Sequence, residues 1–373
     1  MASLNETPSA NRIHIAFFGL RNAGKSTLVN DFTGQEIAIV SDTPGTTTDP
    51  VSKAMEILPL GPCLITDTAG LDDEGELGAK RVEKTLGVLS TTDIAVWVGE
   101  GLEKWRNRFT VPVLEFRRGD SVDELKKKIA AVKLSDVAPG LLDGLVEKGD
   151  RVVCVCPIDE SAPKGRLILP QVQLVRDCLD WHITATVCQP EELEDALACD
   201  CARRTLVVTD SQAFASVRDS IRRFEKANSG ALKPRLTSFS ILFARQKGDL
   251  RALCAGADAI MNLKDGDIVL VSEGCTHRRQ CGDIGTVKIP KWLEAYTGRK
   301  LRFEFSSGGT FNLDPARLPR LVVHCGGCML TRRAVLDRIA QCEAAGVPIV
   351  NYGVAIALMH GIAADPDTCM VKR

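Results

Sequence analysis

The sequence predicts an α/β protein of three domains. Its 373 residues suffice for two or three domains, and 45% of them are apolar, so each domain could bury a core. β-like runs alternate with helix-like runs along the chain, which is typical of parallel sheets with helical crossovers.

The domains are predicted at residues 11–135, 149–244 and 245–373. Residues 1–10 are polar and are interpreted as a flexible tail. The first domain contains the strand-like runs RIHIAFF, CLITD, DIAVWV and VPVLEF. The polar, glycine-containing stretch 136–148 is interpreted as a linker.

The second domain begins with the strand-like run RVVCVCPID and continues through a helix predicted from Leu169 to Asp180. Two more runs, ITATVC and TLVVTD, complete a βαβ pattern. The third domain has the strand-like runs IVLVSEGC, RLVVHC and VPIVNYG, separated by the helical segments IPKWLEAYTG and TRRAVLDRIAQCEAAG. Thr331 can cap the start of the last helix, and Gly346 can end it.

Charge and cysteine content limit the environment and the partners. The formal net charge is −1, which argues against nucleic acid bound by bulk charge. No apolar run approaches the ~20 residues that span a bilayer, and nothing resembles a secretory signal, so no membrane partner is expected. The 14 cysteines are expected to be mostly buried thiols in a reducing, cytoplasmic environment.

The segment GLRNAGKS, Gly19 to Ser26, fits the phosphate-binding pattern G-x-x-x-x-G-K-[ST]. It follows a predicted strand and precedes a predicted helix, as the pattern requires. Gly19 and Gly24 let backbone N–H groups face phosphates, Lys25 adds a cation for the β- and γ-phosphates, and Ser26 can ligate Mg²⁺. The first domain is therefore predicted to be built on a P-loop sheet. The two smaller domains that follow it are predicted to be parallel α/β domains.

Two further segments support a nucleotide switch. DTAG, Asp67 to Gly70, ends the run CLITD, so that Asp67 can hold Mg²⁺ through water and the Gly70 amide can face the γ-phosphate. GTTTDP, residues 45–50, supplies threonines that can complete the Mg²⁺ shell only when a γ-phosphate is present.

These motifs resemble the TrmE–Era group of GTPases, which carry Asn at the position of Asn22 and a G-T-T-R-D switch where this chain has Gly45 to Asp49. The resemblance implies GTP, Mg²⁺ sensed by Thr47, K⁺ bound by Asn22, and slow, K⁺-stimulated hydrolysis. The nucleotide-binding residues predicted in this way are Gly19, Asn22, Ala23, Gly24, Lys25, Ser26, Thr27, Thr46, Thr47, Asp67, Gly70 and Asp120.

The base-reading motif of such GTPases, N-K-x-D, is degraded. The candidate reads RRGD, Arg117 to Asp120, in which only Asp120 could still bridge guanine. Alternatively, VPVLEF corresponds to a later strand and the base-reading loop is missing. GTP is therefore inferred from the resemblance, and ATP or weak binding stays open.

Cysteine and histidine residues follow two strand-like runs of the third domain. EGCTH follows IVLVS and HCGGC follows RLVV, giving C-x-H, a gap of 46 residues, and then H-C-x-x-C. The carboxyl ends of parallel strands form one edge of a sheet, so Cys275 is expected to meet Cys325 and Cys328 there. Gly326 and Gly327 let the loop turn back so that both thiolates face one centre.

Three thiolates suit a soft metal centre. Zn²⁺ could take Cys275, Cys325, Cys328 and one histidine, His277 or His324, in a closed site. A 4Fe-4S cluster could take the three cysteines and leave one iron for a histidine, water or an external ligand. Spacing alone does not decide between the two.

A TrmE–Era-like domain followed by C-x-H and H-C-G-G-C resembles the maturation GTPase of iron-iron hydrogenase, the HydF family. PIDESAPKGRLILPQVQLVRD, TDSQ and GDIGTVKIPKWL are also similar to segments of that family. The resemblance implies a homodimeric scaffold with a 4Fe-4S cluster on the three cysteines. It also implies a transient di-iron precursor as cargo, and two radical-SAM maturation enzymes and apo iron-iron hydrogenase as partners.

One rival function stays open. A GTPase of RNA or ribosome maturation could hold structural zinc on the same cysteines. The fourth cluster ligand, the survival of guanine specificity and hydrolysis, the dimer or tetramer geometry and the client hydrogenase are left open by the sequence.

Overall fold

The computed structural model divides into two compact units, Met1–Val137 and Ala138–Arg373, which are described separately. The described residues are 11–34, 50–73, 75–134, 138–158, 167–274, 283–308, 311–327, 330–361 and 363–370.

The first unit is built on a five-stranded sheet in the order β2-β3-β1-β4-β5. All neighbouring strands are parallel except β2, which runs antiparallel to β3. The strands are β1 (Ile13–Gly19), β2 (Val51–Ile57), β3 (Gly61–Asp67), β4 (Ile94–Val98) and β5 (Val113–Phe116); the helices are α1 (Lys25–Thr33), α2 (Gly75–Leu89) and α3 (Val122–Ala130). The four predicted strands are confirmed, and β2 is an addition.

Helices cover both faces of this sheet. One core cluster joins Phe17 and Ile65 to residues of α1 and α3. A second cluster, around Phe18 and Trp97, lies on the opposite face against α2. β4 is buried along its whole length because both of its faces are covered.

The second unit contains two four-stranded sheets, both entirely parallel. The middle sheet has the order β7-β6-β8-β9, with strands β6 (Arg151–Val155), β7 (Thr184–Cys188), β8 (Thr205–Thr209) and β9 (Arg235–Ser238). The last sheet has the order β11-β10-β12-β13, with strands β10 (Ile268–Glu273), β11 (Arg302–Ser307), β12 (Leu321–His324) and β13 (Ile349–Asn351). The helices are α4 (Leu169–Asp180), α5 (Leu193–Ala198), α6 (Phe214–Ala227), α7 (Phe239–Lys247), α8 (Leu250–Asp258), α9 (Ile289–Thr297), α10 (Arg332–Ala344) and α11 (Tyr352–Met359).

The predicted border between residues 244 and 245 is wrong. It falls inside α7, where Ala244 is buried among residues of a core cluster that joins the two sheets. A domain border within a buried helical turn would expose apolar surface, so the break belongs after α7.

The predicted linker 136–148 is also wrong over its described part. Leu141 and Leu142 are 2% and 0% exposed and belong to the core of the second unit. The amide of Leu142 donates to Asp177 Oδ2 on α4 at 2.8 Å, which fixes the segment against that helix. Polar neighbours and glycines gave this stretch the composition of a linker although its leucines are core residues.

We expect Leu142→Ala to destabilise the second unit by about 2–5 kcal/mol, because it removes a fully buried side chain from a packed core. Urea unfolding followed by circular dichroism would measure the change. Lys148→Ala, at an exposed position of the same segment, is the control and should change stability by less than about 0.5 kcal/mol. Equal effects of the two substitutions would restore the linker interpretation.

The order of the last sheet fixes where a ligand can bind. Its first strand, β10, has β11 on one side and β12 on the other. β10 is followed by β11 on one side and β12 by β13 on the other, so the strand order reverses between β10 and β12, which is where open α/β sheets bind ligands. The segments that follow these two strands carry the predicted cysteines.

Candidate functional site

The phosphate-binding pattern occupies the turn between β1 and α1. Gly24 precedes the helix with φ of 89°, and Asn22 has φ of 59°, a left-handed conformation that asparagine tolerates better than most residues. A Cβ atom on Gly19 would lie 2.5 Å from the Val98 carbonyl oxygen, so only glycine fits there. The turn thus has the tight, glycine-dependent backbone that a phosphate cradle needs.

Lys25 is folded back onto this turn. Its side chain is 6% exposed, and its Nζ donates to the Leu20 carbonyl at 2.7 Å and to the Gly19 carbonyl at 3.3 Å. Burial lowers the pKa of Lys25, while the charge of Asp67 acts in the opposite direction. Phosphate oxygens are better partners for the ammonium than these carbonyls because they carry charge.

Ser26 and Asp67 meet across the site. The Ser26 hydroxyl donates to Asp67 Oδ2 at 2.6 Å, although the two residues belong to α1 and β3. Asp67 is fully buried, and its Oδ1 has no hydrogen-bond partner among the described residues. An orphaned carboxylate oxygen beside a hydroxyl is a donor set suited to Mg²⁺, so these residues fit the ion.

The segment after β3 lies against the phosphate turn. A Cβ atom on Gly70 would lie 2.8 Å from the Arg21 nitrogen and 2.9 Å from its Cα, so a side chain there would push the two segments apart. The Leu71 amide donates to the Gly19 carbonyl at 3.2 Å. The DTAG segment is therefore in reach of a phosphate bound by the turn.

The remaining predicted nucleotide residues are distributed as follows. Ala23 is half-buried in the turn, and Thr27 is exposed on α1. Thr46 and Thr47 lie outside the described residues. Asp120 follows β5, which pairs directly with β4, and its Oδ2 accepts from the Arg117 amide at 2.7 Å. Asp120 thus stands in the loop after the strand next to β4, with one carboxylate oxygen closing a turn.

We expect Asp67→Asn to stabilise the nucleotide-free protein while weakening Mg²⁺-dependent GTP binding. Burial raises the pKa of Asp67, so its ionised form is disfavoured in the folded state. The penalty grows as pH rises above the ordinary carboxyl range. At pH 7.5 the variant should gain about 2–4 °C in Tm. This gain should shrink as pH falls and the wild-type carboxyl becomes protonated.

Differential scanning fluorimetry across pH would measure this difference, and titration calorimetry with Mg²⁺ would give the affinity, expected to fall about tenfold or more. Asp123→Asn, at an exposed position in α3, is the control. A lower Tm for Asp67→Asn, or unchanged Mg²⁺-dependent affinity, would contradict the assignment.

The second site lies at the carboxyl edge of the last sheet. Neighbouring strands β10 and β12 place Ser272 opposite His324, and the Cys325 amide donates to the Ser272 carbonyl at 2.9 Å. The Gly274 amide donates to Cys325 Sγ at 3.1 Å. Gly274 directly precedes Cys275 in the sequence. The structure thus brings the segment before Cys275 against the Cys325 thiol.

The His324 side chain is not placed as a metal ligand. Its side chain is buried, its Nδ1 is 2.6 Å from the Cys325 carbonyl, and its Nε2 accepts from Arg338 at 2.8 Å. Burial, with the Arg338 charge, lowers the pKa of His324 to about 4, so the imidazole is neutral. Both ring nitrogens are engaged, and the expectation that His324 binds the metal is not supported by this arrangement.

Arg338, on α10, contacts several residues at this edge of the sheet. It is 2% exposed, and besides His324 it donates from Nη2 to the Gly308 carbonyl at 2.8 Å. Its guanidinium lies 5.2 Å from the centre of the Phe311 ring. Arg338 also donates from Nη1 to the Ser272 hydroxyl at 3.5 Å, although the two residues are 66 positions apart in the sequence. The sequence around Arg338 therefore does not indicate this contact.

A carboxylate lies at the same edge. Glu273 ends β10, is 5% exposed, and accepts from the Tyr352 hydroxyl at 3.3 Å. Burial raises the pKa of Tyr352 well above its ordinary value, so this phenol stays protonated and remains a donor. The edge therefore combines the Cys325 thiol, the buried Glu273 carboxylate and the buried Arg338 guanidinium.

Of the predicted cysteine ligands, the structure describes Cys325. Cys325 is partly exposed and already accepts an amide hydrogen bond, as a metal-bound thiolate does. Cys275, His277 and Cys328 lie outside the described residues, and among those described no cluster of three His, Cys, Asp or Glu side chains is placed to hold a metal. The observed donor chemistry suits either iron or zinc.

Comparison with family models assigns each part of the chain. Residues 141–248 match the model described as the Hydrogen maturase F dimerization domain, and residues 251–365 match the Hydrogen maturase F tetramerization domain. The chain belongs to the HydF family. In this member of the HydF family, residues 14–133 match the model described as a 50S ribosome-binding GTPase. The boundary between the two maturase models falls just after α7, in agreement with the buried position of that helix.

The curated relatives of this HydF chain include two kinds of GTPase. GTPase Der of Campylobacter hominis is 40% identical over 87 residues, which are 23% of this chain and 19% of Der. The tRNA modification GTPase MnmE of Zymomonas mobilis is 36% identical over 173 residues, which are 45% of this chain and 38% of MnmE. The chain thus spans less than two fifths of the length of these relatives.

Among solved structures, Era of Aquifex aeolicus is 14% identical, with 79% of this chain and 93% of Era covered and a TM-score of 0.25. In the described part of the chain, no helix combines the length and the apolar character needed to cross a bilayer.

Proposed function

We propose that this protein is a GTP-binding iron–sulfur scaffold and carrier, which delivers the di-iron precursor of the iron-iron hydrogenase active site to apo-hydrogenase. One observation carries the proposal: within a chain of the HydF family, the Gly274 amide, next to Cys275, donates to Cys325 Sγ at 3.1 Å. This contact supports convergence of the cysteines on one centre.

The centre we propose is a 4Fe-4S cluster on Cys275, Cys325 and Cys328. When bound, such a cluster supplies an iron with an exchangeable coordination position, where a cargo can be attached. The chain's part is to hold the thiolates at the edge of the sheet and to donate the Gly274 amide to one of them. Since His324 is engaged elsewhere, His277 or an external ligand takes the remaining position.

The nucleotide site supports the other half of the proposal. Lys25 holds the β- and γ-phosphates of GTP, and Ser26 with Asp67 holds Mg²⁺. Asn22 holds K⁺, and Asp120 is the remaining candidate for contacting guanine. We propose slow, K⁺-stimulated hydrolysis that regulates partner association, with Thr46 and Thr47 sensing the γ-phosphate.

The proposed partners are a second copy of the chain, two radical-SAM maturation enzymes and apo iron-iron hydrogenase, in the cytoplasm. The matches to a dimerization and a tetramerization domain support self-association, first expected as a homodimer. The rival function, RNA or ribosome maturation with structural zinc, is supported by the GTPase part alone, since residues 141–365 are matched by the maturase domains.

A transfer experiment tests the proposed function. The full chain, loaded anaerobically by the two radical-SAM enzymes and then re-isolated, is mixed with apo-hydrogenase, and hydrogen evolution is followed. The proposal predicts activity from loaded wild type and none from loaded protein with Cys325→Ser. Absence of activity from wild type with a full complement of iron would overturn the carrier function.

A further inference from the structure

The loop that contains Cys325 is held by a buried lysine from the helix before it. Lys247 is the last residue of α7 and is 4% exposed. Its Nζ donates to the Leu330 carbonyl at 3.0 Å and to the Gly327 carbonyl at 3.3 Å. These two carbonyls lie on either side of residues 328 and 329 in the sequence, so the lysine joins the two described residues that flank this pair.

A second cation secures the same junction in the opposite direction. Arg332 begins α10, directly after the cysteine loop, and its Nη1 donates to the carbonyls of Arg245, Gln246 and Gly248. These carbonyls belong to the last turn of α7 and the residue that follows it, where helical backbone partners run out. Lys247 and Arg332 thus hold the end of α7 and the cysteine loop together by hydrogen bonds, and we call this arrangement the clamp.

Lys247 and Cys325 also share one small cavity. Its wall includes His324 and Gly326 together with the apolar residues Phe243 and Val335. In such a poorly solvated space a positive charge acts more strongly on a nearby anion than it would in water. An ammonium here stabilises a thiolate, and any more negative state of a centre bound to that thiolate.

We infer that Lys247 is a positioning residue for the metal centre, which fixes the loop between Cys325 and Cys328 and supplies positive charge beside it. The inference rests on the proposed function and deepens it. Because α7 lies within the segment that matches the dimerization domain, the clamp also connects that segment to the centre.

The test uses the full chain, with Lys247→Met and Lys247→Arg, and with Lys264→Met as an exposed control from the same unit. In Lys247→Met a chelator should remove iron about 10–100-fold faster. The midpoint potential of the cluster in Lys247→Met should move to more negative values, because the reduced cluster loses the stabilising charge of the lysine. Lys247→Arg should restore the potential, and Lys264→Met should match wild type in both measurements.

A third measurement needs no metal. The Leu330 amide donates to the Gly327 carbonyl at 2.9 Å, within the clamped segment. Hydrogen exchange at Leu330 in apo protein should be faster in Lys247→Met than in wild type. Should that variant fail to fold, Lys247→Gln, which keeps a donor without the charge, takes its place, with the same faster iron release and more negative potential expected.

The outcomes distinguish failure of the role of Lys247 from failure of the scaffold function. If wild type binds the cluster while the neutral variants match it in iron release, potential and exchange, the role of Lys247 is overturned and the scaffold stands. If wild type binds no iron, the scaffold fails and the exchange at Leu330 still decides whether the clamp exists. A potential that is not restored by arginine would leave Lys247 with a steric role and overturn the charge effect.

Discussion

Replacing Lys25 with methionine is expected to lower GTP affinity at least about 100-fold, because the variant loses the cation proposed to contact the β- and γ-phosphates through charge-assisted hydrogen bonds. In the structure this ammonium rests on the Gly19 and Leu20 carbonyls, within the turn that would hold the phosphates. Titration calorimetry with a non-hydrolysable GTP analogue and Mg²⁺ would measure the change.

Lys127→Met, at an exposed position in α3, is the matched control and should bind like wild type. Iron content should be the same in both variants, since the cysteine edge is a separate site. Competition by ATP in wild type would show whether Asp120 still selects guanine. Affinity of Lys25→Met within about threefold of wild type would contradict the assignment of the phosphate loop.

Replacing Cys325 with serine is expected to reduce bound iron to background after anaerobic reconstitution. The Cys325 thiol is the described member of the proposed ligand set, and it accepts the Gly274 amide at 3.1 Å. A serine hydroxyl is a poor ligand for a soft iron–sulfur centre, which prefers thiolates. Iron and sulfide assays on the purified variant, with the visible absorption spectrum, would measure the loss.

Two controls make this experiment specific. Cys199→Ser removes an exposed thiol from the same unit and should retain the full iron content. His324→Asn should also retain iron, because both nitrogens of His324 are engaged by Arg338 and the Cys325 carbonyl. Loss of iron as complete in His324→Asn as in Cys325→Ser, in a variant whose Tm and circular dichroism match wild type, would show that the histidine is a ligand after all.

The sequence predicted the elements with a clear periodicity. The helix Leu169–Asp180 has the predicted bounds because a strand-like run and a polar stretch enclose it. The run VPIVNYG was predicted as a strand, but β13 ends at Asn351, whose side chain accepts from the Val354 amide and so begins α11. An apolar run with an internal cap is ambiguous until its hydrogen-bond partners are known.

The candidate site was predictable where its residues form one motif or follow neighbouring parallel strands. The phosphate turn is one continuous motif, and the pairing of β10 with β12 follows from the rule for parallel strands. Lys247 and Arg338 could not be predicted, since each reaches the cysteine edge from a separate helix. The inward position of His324 follows from its place on β12, where the side chain packs against Arg338.

The metal content of anaerobically prepared wild-type protein tests the central claim most directly. Three converging thiolates that hold one iron–sulfur cluster predict about four iron and four sulfide per chain. They also predict a spectrum that changes when an external ligand binds the open iron. One zinc per chain without sulfide, or no metal after reconstitution, would contradict the scaffold.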